Sequence, residues 1–121
     1  DVCLQSTESD ELAAVREVYE RLGRAVKAPL MIDSTDPAAI ELALGYCQGK
    51  AIVNSVNLED GEERIAAVAP MLKRFGAAVI CGVIDEDPEI GLIPAGPPRF
   101  QALSRKVALA PAAPWLLSVS G

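Results

Sequence analysis

Two hydrophobic rhythms alternate along this chain. In "DELAAVREVYERLGRAV", Leu12, Val15, Tyr19, Leu22 and Val26 recur at steps of three and four, one apolar stripe of a helix with charges around the rest of it. Ile40, Ala43, Leu44 and Cys47 form a second stripe, with Asp36 as its expected N-cap, Pro37 as its first helical residue and Gly49 closing the unit. Ile65, Val68, Leu72 and Phe75 form a third. Asp60 and Glu63 ahead of it read as a variant capping box, Gly76 as its C-terminal cap, and Pro70 inside it as a kink.

Between these stripes lie "DVCL", "APLMID", "KAIVNSV" and "AAVICGVI", apolar runs without strict alternation. Such runs predict strands of a parallel sheet covered on both faces. The order is therefore βαβαβαβ, an α/β fold of parallel repeats joined by right-handed crossovers. After Asp87 the pattern changes. Residues 88–121 hold six of the nine prolines, and offer only a short helix over Arg99 to Leu109 and a strand or frayed end in "PWLLSVSG". We therefore divide the chain into a βα-repeat domain, 1–87, and a divergent Pro-rich segment, 88–121.

Composition narrows this picture. At 121 residues the chain has room for one compact domain. Half of it is apolar but only five residues are aromatic, which suits helices packed closely on a sheet. The net charge of −6 argues against nucleic acid as a partner. That charge is uneven, −8 over residues 1–87 and +2 over 88–121. Three widely spaced cysteines, Cys3, Cys47 and Cys81, and no histidine make a zinc site unexpected. The thiols read as small buried hydrophobes of a reducing compartment, hence a cytoplasmic chain. No apolar run approaches the roughly 18 residues of a membrane span, and no signal peptide precedes the first strand. The chain opens on Asp1 rather than Met, which leads us to expect a piece of a longer sequence.

The candidate chemistry sits at the strand ends. Asp33, Ser34 and Thr35 follow "LMI"; Asn54, Ser55 and Asn57 stand in "IVNSVN"; Asp85 and Glu86 follow "GVI". Parallel α/β folds place functional groups at the carboxyl ends of their strands. Asp33 is open to two readings: a pocket group, or a cap for the next helix or the partner of a Lys or Arg. Asn54 is either a site residue or a loop brace. Ser34, Thr35 and Ser55 fit turns and caps, and "DED" at 85–87 fits a solvated loop. No Ser-His-Asp or Cys-His pair can form without histidine, and there is no Walker loop or G-x-G-x-x-G. What remains is an Asp and an Asn, which together offer acceptor oxygens and a donor amide. That set suits the amino-pyrimidinone edge of a pterin or guanine.

The stretch "APLMIDSTDPAAIELALGYCQGKAIVNSVNLEDGEERIAAVAPMLKRFGAAVICGVIDED" closely resembles the pterin-binding domain of cobalamin-dependent methionine synthases, the 5-methyltetrahydrofolate–homocysteine methyltransferases. "DVCLQSTESDE" looks like the strand and loop before it, so the resemblance covers residues 1–87, about 70 per cent of the chain. Dihydropteroate synthase shares the plan, but its glycine-rich loop ending in Arg-Pro-Gly is replaced here by "LQSTESD". The resemblance implies a (β/α)8 TIM barrel, of which this chain would supply roughly the second to fifth strands. It makes Asp33 the pterin-ring aspartate and Asn54 the asparagine beside it. Ser55, Asp1 and Asp85 are the further pterin-side residues it implies, with no catalytic nucleophile and no metal ligand in this chain.

The implied activity is methyl transfer from N5 of 5-methyltetrahydrofolate to cob(I)alamin, the folate half of methionine synthesis. The implied partners are a cobalamin-binding module or corrinoid protein and a homocysteine-binding module. Residues 88–121 depart from the family's continuation, which carries a further pterin-side asparagine. The isolated chain is therefore expected to be incomplete, inactive and prone to self-association. The alternative is a catalytically inactive α/β fragment or a dihydropteroate synthase-like pterin binder.

Overall fold

The computed structural model of the chain describes residues 1–7, 10–58 and 62–85. Strands and helices alternate in it: β1 Val2–Cys3, α1 Glu11–Ala25, β2 Met31–Asp33, α2 Pro37–Tyr46, β3 Ile52–Leu58, α3 Glu63–Phe75 and β4 Ala78–Asp85. The four strands form one parallel sheet in the order β1-β2-β3-β4. Each strand is thus followed by its own neighbour. Crossovers of constant hand, repeated in one direction, carry every helix to the same face of the sheet.

Burial follows from that placement. Val2, Ile32, Val53 and Val79 stand side by side in register. Ile32, Val53 and Val79 are buried in the core with Val15, Tyr19, Ile40, Leu44, Ile65, Val68 and Leu72 of the helices, and Val2 packs against them. The next row along the strands, Cys3, Asp33, Asn54 and Ile80, must point the other way, because successive residues of a strand face opposite sides. The expected cover on both faces is not found among the described residues. Their helices cover one face, and on the other Met31, Asp33, Ile52, Asn54, Ala78 and Ile80 are half-buried.

The helix ends follow local chemistry. Asp10 caps α1 by accepting from Leu12 N at 2.9 Å and Ala13 N at 3.4 Å. Asp36 caps α2 through Ala38 N at 2.8 Å, directly before Pro37. The N-cap of α3 is Glu62, which makes no side-chain capping bond, and Asp60 lies outside the described residues. Gly76 has φ 64°, the left-handed conformation that favours glycine. There Gly76 N donates to Lys73 O at 3.4 Å and Ala77 N to Leu72 O at 3.0 Å, the paired bonds of a Schellman ending. Replacing the α2 cap, Asp36→Ala, should lower stability by about 1 kcal/mol, read as a shifted urea midpoint at constant slope.

Two stripe residues and one thiol depart from expectation. Val26 is 39% exposed because α1 ends at Ala25, before the stripe would return to the sheet. Phe75, at the last position of α3, is 38% exposed, and the Arg74 guanidinium lies 4.7 Å from its ring centre. Cys3 is exposed, since its position on β1 turns it away from the helices. Cys47 is half-buried and Cys81 buried, and burial pushes both thiols above the ordinary range. The segment 88–121, with its expected helix and strand, lies outside the described residues.

Candidate functional site

Register brings the two principal candidates together. Asp33 closes β2 and pairs with Asn54 on β3, so the two side chains leave neighbouring strands on the same, helix-free face. Adjacent strands lie about 4.8 Å apart, which sets the spacing of the two groups near the width of one heterocycle edge. Among the described residues, no hydrogen bond or ion pair engages the Asp33 carboxylate or the Asn54 amide. The cap of α2 is Asp36 instead, so neither the capping nor the ion-pair reading of Asp33 is met.

A bulge follows Asn54. Asn54 pairs with Ile80 and Val56 with the very next residue, Cys81, so Ser55 is the extra residue on β3. The insertion turns Val56 to the core, where it is 1% exposed. It leaves Ser55 and Asn57 beside Gly82 of β4. A Cβ built on that glycine would stand 3.4 Å from Asn57 Cβ and 3.8 Å from Ser55 Oγ. The polar groups Asp33, Asn54, Ser55 and Asn57 therefore gather from the end of β2 along the second half of β3.

The loops above them are tied together. Ser34 is 3% exposed; its Oγ donates to Glu11 Oε1 at 2.6 Å and accepts from Asp36 N at 3.1 Å. Gln5 Nε2 donates to Thr35 Oγ1, joining the loop after β1 to the loop after β2. Arg64, in the first turn of α3, donates to Thr35 O at 2.7 Å, Ser34 O at 3.0 Å and Ser55 O at 3.2 Å. Ser34 and Thr35 thus serve the turn. Arg64 was not among the sequence candidates. Its signal was a base at the positive end of a helix, where the dipole disfavours it unless carbonyl partners are near.

The remaining candidates fall elsewhere. Asp85 ends β4, with its backbone in register with Leu58, and so belongs to the carboxyl end of the sheet. Asp1 is exposed and precedes β1, at the opposite end of that strand from the row of Asp33 and Asn54. A cavity of about 380 Å³ lies at the amino-terminal end of the strands, between the α1–β2 and α2–β3 connections, lined by Lys27, Leu30, Gln48 and Lys50 among others. Asp33 and Asn54 take no part in it.

Three consecutive βα repeats and a fourth parallel strand, with polar groups gathered where β2 ends against β3, define an α/β protein built as part of a TIM-barrel-like fold. The chain belongs to the pterin binding enzymes, whose family model matches residues 1–96. It is also similar to a methionine synthase of Mycobacterium tuberculosis (strain ATCC 25618 / H37Rv), 34% identical over 90 residues. That match takes in 72% of this chain and 8% of the relative, so the chain spans less than a tenth of that protein's length. Among the described residues no helix is long and apolar enough to cross a membrane.

Proposed function

We propose that the chain is the pterin-holding part of a cobalamin-dependent methyltransferase, and that Asp33 and Asn54 bind the ring of 5-methyltetrahydrofolate. The observation that carries this reading is the register pair itself: an acid and an amide, side by side where β2 ends against β3 and without side-chain partners among the described residues, in a chain of the pterin-binding family. The carboxylate can accept two N–H groups from an amino-pyrimidinone edge, and the amide can donate and accept beside it. Ser55 lies beside this pair on the bulge of β3, while Asp1 stands off it.

The methyl group sits on a tertiary amine, a poor leaving group, so N5 must gain positive character before the methyl departs. The residues of this chain hold the pterin edge, orient the methyl for in-line attack and favour the protonated ring through their hydrogen bonds. Cobalamin, bound on a separate module, supplies the nucleophilic cobalt. The printed name of the relative, methionine synthase, supports a homocysteine-binding module as a second partner. A ligand lacking the pterin edge would leave Asp33 and Asn54 desolvated and unpaired, which gives the site its selectivity.

In a complete barrel carrying these residues, Asp33→Ala should weaken 5-methyltetrahydrofolate binding by about 1.5–3 kcal/mol, roughly 10- to 150-fold in Kd. Titration calorimetry reads the affinity and a thermal melt reads the fold. Unchanged affinity with a large loss of stability would overturn the assignment and return Asp33 to a structural role.

A further inference from the structure

We propose that Arg64 is the positioning residue of this site. Its guanidinium fixes the spacing between the Asp33 carboxylate and the Asn54 amide by holding the backbone directly behind each. This deepens the pterin-binding reading and rests on it for its functional meaning. The carbonyls that Arg64 grips belong to Ser34 and Thr35, the first two residues after Asp33, and to Ser55, the first after Asn54. One side chain thus joins the loop after β2 to the bulge of β3. On β2 the strand has ended, and on β3 the bulge interrupts the ladder. Beyond the Asp33–Asn54 pair β2 offers β3 no further partner, so the clamp is what holds the two backbones together there.

The shape of guanidinium matters. Two terminal nitrogens in one plane reach three carbonyls at 2.7, 3.0 and 3.2 Å, a fork that a single ammonium cannot reproduce. Among the described residues the buried Nε of Arg64 has no partner, so the side chain makes its hydrogen bonds there through the two terminal nitrogens. Arg64 carries no apolar packing role comparable to its neighbour Ile65, which is fully buried in the core.

The test uses the full 121-residue chain, with Arg64→Ala and Arg64→Lys. Backbone amide exchange over residues 33–36 and 54–57 should accelerate at least tenfold in both variants, while α1 and α2 keep their rates. Loss in the lysine variant as well marks the fork rather than the charge. The second readout is magnetic resonance of the Asn54 side-chain amide. Asp33→Ala should shift that signal in the parent chain, and by less than half as much when combined with Arg64→Ala. Uniform acceleration across the fold, or an Asn54 signal that responds equally in both backgrounds, overturns the proposal and leaves Arg64 a general brace. Neither readout involves folate. Failure of 5-methyltetrahydrofolate to bind a complete barrel carrying these residues would count against the pterin reading alone, whereas intact exchange rates in Arg64→Ala would count against the clamp alone.

Discussion

Leu72→Ala should remove about 2–5 kcal/mol of stability, while Phe75→Ala, three residues on in the same stripe, should remove less than about 1 kcal/mol. Leu72 is fully buried, in the core layer between α3 and the sheet, with Ile65 and Val68 on its own helix. Truncation there loses the transfer energy of three carbons and leaves a cavity that the surrounding strands can only partly fill. The total stability of a small domain is about 5–15 kcal/mol, so the loss takes a large share of it. Phe75 is 38% exposed and its ring lies against the Arg74 guanidinium rather than in the core. Urea unfolding of the two variants, compared at equal slope, separates them. Equal losses would mean that the end of α3 packs differently from the description above.

That pair also shows how far the sequence could be followed. Periodicity makes Leu72 and Phe75 equivalent, because it reports the angle of a residue around its helix and not where the sheet beneath stops. The alternation of strands and helices, the Asp36–Pro37 start and the Gly76 ending were all legible, since each depends on residues within a few positions of one another. The one-sided cover was not. A continuous apolar run looks the same whether its second face meets helices or the interior of a barrel. At the site, Asp33 and Asn54 were legible because each ends an apolar run, and register then placed them side by side. Arg64 was not, because its partners are backbone carbonyls 29, 30 and 9 residues away, which no side-chain pattern reveals. The bulge at Ser55 was hidden for a similar reason: it is visible only as a mismatch between two strands.

Purified alone, this chain should transfer no methyl group from 5-methyltetrahydrofolate to free cob(I)alamin. The described sheet has four strands, whereas a closed TIM barrel has eight. In the proposed site Asp33 and Asn54 form one wall, and a pterin held there would meet no opposing strand ends among the described residues. Without a second wall the ring is neither shielded from water nor fixed for in-line attack, and both effects are needed for the amine to leave. The edges of the sheet point the same way. Among the described strands β1 and β4 each have one unpaired side, and Met31, Ile52 and Ile80 line a face without helices. Unpaired edges beside an apolar face favour association between copies, so sedimentation should show species heavier than the 12.7 kDa chain. The same geometry is what favours the alternative of a catalytically silent α/β unit over an autonomous enzyme. The assay follows the absorbance of methylcobalamin, with Asn54→Ala as its control. Turnover by a monomeric sample, abolished in that variant, would show that four strands suffice to build the site and that the second wall is not required.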